Sequence, residues 1–249
     1  MRMVQIGSVT LGEGMPKICV PVMGADMEEI AAAALRARQA QGDLIELRID
    51  SLSSMPDAQT AIAACRTARE QSGLPVLFTL RTQRDGGAGS ADAAAYEALL
   101  ARMAHSGACE AIDCELSAGR EAFSRIAQEA HRCGVVLVGS SHEFGHIGDV
   151  RSAGQWLLEQ QELGADICKA AVMTHSRVEA LGVMLEMARA QEALTVPCIA
   201  ITMGEHGVIS RVCCQSLGSC LTFAAAGRAS APGQLDAKEL RATLEMLAR

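Results

Sequence analysis

The sequence predicts an α/β fold, a (β/α)8 TIM barrel with a short N-terminal β-hairpin. Three observations carry that reading. Eight short strand-like runs alternate with Ala-rich helical stretches. The repeating unit is about thirty residues, enough for one strand, one loop and one helix. Polar side chains gather on one parity of the strands, which a barrel would turn inward.

The elements follow in order. The leader "VQIGSVTLGEG" (4–14) reads as a small hairpin able to cover the barrel's bottom. The strand runs are "KICVPVMG" from 17, "LIELRID" from 44, "PVLFTLR" from 75, "AIDCEL" from 111, "GVVLVGSS" from 134, "DICKAAVM" from 166, "PCIAITMG" from 197 and "CLTFAAAG" from 220. Between them, Asp26–Gln41, Asp92–Ser106, Asp149–Leu163 and His175–Ala193 read as amphipathic helices, and Asp236–Leu247 as the last. No linker or low-complexity segment divides the chain, so 1–249 reads as one domain. The competing architecture is an open, doubly wound sheet, but no G-x-G-x-x-G follows the first strand.

Composition narrows the function. With 249 residues, 49% of them hydrophobic, the chain can bury a large core. A net charge of −7 and no basic block argue against nucleic acid. No apolar run reaches the ~18 residues of a membrane span, and no signal-type h-region opens the chain, so a cytoplasmic protein is expected. Ten cysteines lie scattered without a CxxC pair; they read as reduced, mostly buried thiols rather than a metal site.

One segment poses a chemical problem. "GADICKAAVMT" (164–174) places Lys169 in a small, apolar, strand-like run. An unpaired charge in an apolar interior is very costly, and a neutral amine on a rigid strand is a nucleophile. The alternative is an edge-strand lysine that deters aggregation. Strand parity favours the interior. Glu46 with Arg48, Thr79 with Arg81, Asp113 with Glu115, Ser140 with His142, and Lys169 with Ala171 and Met173 each share a face, as do Ile201 and Met203. The opposite parity, as in Ile45, Leu47 and Ile49, is apolar and suits packing against outer helices. Charged groups converging on the C-terminal ends of barrel strands point to a catalytic site, although an interior ion-pair network serving structure alone has the same pattern. Among the other histidines, His105 and His131 fall in helices and read as structural; His175 is a candidate for the barrel mouth, and His206 lies in a Gly-flanked loop.

The segments "ELRID" (46–50), "TLRTQRDGG" (79–87), "SSHEF" (140–144), "GADICKAAVM" (164–173), "ITMGEHGVISR" (201–211) and "SAPGQL" (230–235) resemble the type I 3-dehydroquinate dehydratase family, nearly end to end. The resemblance implies dehydration of 3-dehydroquinate in the shikimate pathway, without a cofactor, by a homodimer acting on a small anionic substrate. It assigns Lys169 to a Schiff base, His142 to general acid/base catalysis and Arg211 to the substrate carboxylate. Glu46, Arg48, Arg81, Ser230 and Gln234 match substrate-contacting positions, and Met203 a pocket-lining one. Asp85 stands where the family more often has a glutamate associated with the histidine; a carboxylate there is expected to favour the imidazolium. Pro21 and Glu143 also depart from the family's commoner serine and aspartate.

These residue types suit the chemistry. An iminium is a stronger electron sink than a ketone, so it takes the part of a Lewis acid and no metal is called for. A near-neutral base can both remove the proton and protonate the leaving hydroxyl. A carboxylate favours a planar bidentate donor, hence arginine at 48, 81 and 211. A class I aldolase and a non-catalytic binding barrel are the competing readings.

Overall fold

The structure, a computed structural model, describes residues 2–227 and 229–248. A two-stranded antiparallel hairpin, β1 (Val4–Ile6) and β2 (Val9–Leu11), precedes an eight-stranded parallel sheet. Its strands are β3 (Lys17–Val22), β4 (Leu44–Arg48), β5 (Val76–Thr79), β6 (Ala111–Glu115), β7 (Val136–Glu143), β8 (Ile167–Met173), β9 (Cys198–Met203) and β10 (Leu221–Phe223). They pair in the order β10-β3-β4-β5-β6-β7-β8-β9. At the β9–β10 seam the Cys220 N–H donates to the Cys198 carbonyl at 2.8 Å. The Ser219 hydroxyl accepts from the Ala200 N–H at 3.1 Å and donates to the Leu221 carbonyl at 3.0 Å. The sheet is thus a near-closed barrel, as the alternating units predict, and the open-sheet alternative is set aside.

Helices α1 (Met27–Gln39), α2 (Ala58–Ser72), α3 (Ala93–His105), α4 (Arg120–Arg132), α5 (Arg151–Glu162), α6 (Arg177–Ala193), the single turn α7 (Ile209–Val212) and α8 (Ala237–Leu247) follow the strands. Asp26, Asp57, Asp92, Ser176 and Asp236 cap five of them by accepting first-turn N–H groups, which is why acidic residues mark the helix starts in the sequence. The seventh unit departs from the repeat. Its helix is one turn long, because the segment after β9 folds back on the strand end. There the Ser210 hydroxyl accepts from the Thr202 N–H at 2.9 Å, and a Cβ on Gly207 would sit 2.4 Å from the Thr202 carbonyl carbon.

Two apolar cores result. The outer one packs Ile45, Leu47 and their counterparts against the helices. The inner one holds Leu44, Leu77, Val138, Ile167, Ile199 and Leu221 at the barrel's base, joined by Val4, Ile6 and Leu11 of the hairpin. The hairpin therefore covers the bottom, and each such fully buried side chain contributes about 1.5–3 kcal/mol. Above this floor the inward positions turn polar. Among the described residues no helix is long and apolar enough to cross a membrane. All ten cysteines are free, and only Cys133 and Cys213 are not fully buried.

Candidate active site

A cavity opens over that polar layer. All ten residues singled out from the sequence line it: Glu46, Arg48, Arg81, Asp85, His142, Lys169, Met203, Arg211, Ser230 and Gln234.

Lys169 is no edge residue. It lies on β8 between β7 and β9 and projects inward, only 4% exposed. Nor is it unpaired. Its Nζ is 3.6 Å from Glu46 Oε1 and 3.7 Å from Asp113 Oδ2, and 4.4 Å from the centre of the Phe223 ring. The two carboxylates offset the desolvation that the apolar surroundings impose, and the ring face adds a cation–π contact.

Arg81 organises the carboxylates. Its Nη2 donates to Asp113 Oδ2 at 2.9 Å, and its Nη1 donates to Glu115 Oε1 at 2.9 Å and Ser140 Oγ at 3.0 Å. Burial alone would raise the Asp113 carboxyl, but the Arg81 and Lys169 cations outweigh it and hold it below its ordinary range. Glu115 ends above its ordinary value, because its burial outweighs the pull of Arg81. Arg48 forms a two-pronged pair with Asp50, Nε to Oδ1 at 2.8 Å and Nη2 to Oδ2 at 2.7 Å. Two of the three arginines expected to hold a substrate carboxylate are therefore already paired.

Arg211 is different. It is 1% exposed, yet among the described residues no carboxylate lies within salt-bridge distance. Its Nη1 and Nη2 donate to the Phe223 and Pro232 carbonyls at 3.3 and 3.2 Å, and among the described residues its Nε has no partner. Burial without a counter-charge lowers its pKa to about 10. Beside it, the Ser230 N–H donates to Gln234 Oε1 at 2.8 Å and Gln234 Nε2 donates to Ser230 Oγ at 2.9 Å, which fixes both side chains at the rim.

The Asp85 loop brings its shorter side chain to His142. Residues Gln83–Asp85 form one 3-10 turn ended by Gly86 at φ 78°, a left-handed conformation that suits glycine. A Cβ there would also lie 2.2 Å from the Phe144 ring. Asp85 Oδ2 accepts from the His142 backbone N–H at 3.2 Å and lies 3.1 Å from its Nδ1. The net shift of the imidazole nevertheless runs the other way. Burial pushes His142 well below its ordinary 6.5, and the Arg81, Lys169 and Arg48 cations push the same way. Asp85 is itself raised above its ordinary value, because its burial outweighs the pull of Arg81. An imidazole that donates Nδ1–H to Asp85 keeps its Nε2 lone pair as a base.

The other histidines lie outside the cavity. His175 Nε2 is 3.0 Å from the Gly145 carbonyl, and His131 pairs with Asp166. Sequence reasoning did not assign Asp50, Phe144 or Phe223 to the site. Asp113 it placed on the inward face but gave no partner.

Fold and site define a barrel enzyme centred on an interior lysine among carboxylates and arginines. The chain belongs to the type I 3-dehydroquinase family, whose model matches residues 18–249. It is similar to the 3-dehydroquinate dehydratase of Salmonella paratyphi B, at 34% identity over 99% of each chain. Among solved structures it resembles the type I 3-dehydroquinate dehydratase of Clostridium difficile with covalently modified comenic acid. That match has 33% identity and a TM-score of 0.94, and covers 99% of this chain and 98% of that one. It also resembles the Geobacillus kaustophilus 3-dehydroquinate dehydratase, at 30% identity, TM-score 0.93, and 99% and 96% coverage.

Proposed function

We propose that this carbon–oxygen lyase converts 3-dehydroquinate to 3-dehydroshikimate, a step of the shikimate pathway, through a Schiff base on Lys169. Glu46 and Asp113 are the nearest acceptors for the proton that the ammonium must release. The amine adds to the substrate ketone, and loss of water leaves the iminium. His142 Nε2 removes the adjacent proton, and the electron pair of that C–H bond moves into the iminium to give an enamine. Return of the pair breaks the bond to the β-hydroxyl, which takes the proton back from His142 and leaves as water. A second water hydrolyses the product iminium and frees Lys169. Such proton transfers typically contribute about 10²–10⁴-fold.

Arg211 carries the reading. A buried guanidinium with no carboxylate partner, facing the same cavity as Lys169, suits an anionic ligand that brings its own carboxylate. Arg48 and Arg81 then act mainly by shaping the carboxylate layer to which substrate hydroxyls can donate hydrogen bonds. Mixing the protein with 3-dehydroquinate should give rising absorbance from a conjugated enone. No rise, or release of carbon fragments, would refute a dehydratase. A cytoplasmic homodimer completes the proposal: Val178, Leu181 and Leu185 form an apolar stripe along α6, 81%, 59% and 51% exposed.

A further inference from the structure

Gln160 lies on the face of α5 that also buries Ala153, Gly154 and Leu157, and it is wholly excluded from solvent. Buried amides need partners, and this one finds three on two strands. Its Oε1 accepts the Lys169 backbone N–H at 2.8 Å. Its Nε2 donates to the Lys169 carbonyl at 3.0 Å and to Ser141 Oγ at 3.0 Å. A glycine makes room for it. A Cβ on Gly139 would lie 3.1 Å from Gln160 Cβ and 2.8 Å from the Phe123 ring.

The place of these bonds matters more than their number. Ser140 and Lys169 are register partners of β7 and β8, and Ser141 immediately precedes His142. One amide thus grips the peptide that carries the lysine and the residue next to the histidine. Gln160 does not line the cavity, so it touches no substrate. We infer that Gln160 is a positioning residue, which fixes Lys169 against His142 by pinning β8 to β7 from behind the barrel wall. The inference rests on the proposed roles of Lys169 and His142.

Methionine at 160 would fill similar space but leave the Lys169 N–H and carbonyl without these partners. Misplacement of a reacting group by about 1 Å can cost ~10²-fold in rate. Arg211 bonds to the Phe223 and Pro232 carbonyls and to none of these groups. The test measures kcat, KM and the single-turnover rate of borohydride-trapped adduct on Lys169. For Gln160→Met we expect KM within about twofold, with kcat and trapping rate both reduced about tenfold or more. Gln160→Glu keeps the acceptor for the Lys169 N–H and loses the donor when ionised. Its kcat relative to the parent should recover as pH falls, because a protonated carboxyl can again donate to the Lys169 carbonyl. Ser141→Ala cuts only the tie to β7 and should give a smaller loss in kcat; it and Gln160→Glu decide the matter if Gln160→Met does not fold. Parental kcat and trapping rates in the variants that fold, or a KM that rises as far as kcat falls, overturn the inference. A parent protein that traps no adduct on Lys169 overturns the Schiff-base reading itself, a separate and distinguishable result.

Discussion

The two walls of the cavity treat their arginines in opposite ways. On the β4–β6 wall, Arg81 meets Asp113 and Glu115, and Arg48 meets Asp50, all within 3 Å. On the β9–β10 wall, Arg211 is as deeply buried as Arg81, but among the described residues it pairs only with carbonyls. The first wall is neutralised internally and can hold its shape with or without ligand. The second is left without a carboxylate among the described residues, which suits the proposed binding of an anionic substrate there. Burial alone would not distinguish them; the partner inventory does.

Stability is the sharpest way to break this contrast. Arg81→Met strands Asp113 and Glu115 in the interior and should lower unfolding free energy by about 3–5 kcal/mol in urea titrations. Arg211→Met removes a desolvated charge with no carboxylate to strand. It should leave the ligand-free protein at least as stable as the parent, while raising KM by about 10–100-fold, the worth of a charged hydrogen bond. Equal destabilisation by both would erase the difference between the walls. Arg211→Lys should recover KM only in part, because an ammonium cannot form the bidentate fork.

A subtler probe is pH. The folded imidazole of His142 titrates well below 6.5. Below that value the unfolded chain binds a proton that the folded one refuses, so this group lowers stability as pH falls. In the proposed role of His142 as base, the same depression keeps it competent into mild acid, and the acidic limb of kcat/KM should lie below pH 6.5. Asp85→Asn withdraws the one carboxylate at Nδ1 and should move that limb lower still. Profiles that superimpose would mean Asp85 does not tune His142. The smallest expected effect on chemistry is from Leu181→Glu, which should shift sedimentation towards monomer with kcat nearly unchanged; a monomeric parent would contradict the dimer.

Much of this site was legible because strand parity is a strict rule. Glu46, Arg48, Arg81, His142 and Lys169 could be placed on the inward face from alternation alone. What alternation cannot give is lateral pairing. Nothing in "LIELRID" says that Arg48 turns to Asp50, or that Asp113 rather than an apolar wall meets Lys169. Phe223 was hidden for the same reason, since its contact with Lys169 depends on barrel closure at β10. The single-turn α7 broke the repeat because its backbone follows side-chain bonds around Ser210, which no periodicity records. Gln160 reads as an ordinary polar helix residue until the helix is docked.

In the proposed reaction, Lys169 is the nucleophile of a carboxylate-lined, arginine-anchored site. Borohydride reduction in the presence of 3-dehydroquinate, followed by peptide mass mapping, tests it most directly. One reduced adduct per chain is expected on the peptide containing Lys169, and none in Lys169→Met. Turnover with no adduct, or an adduct on Lys17 or Lys238, would contradict it.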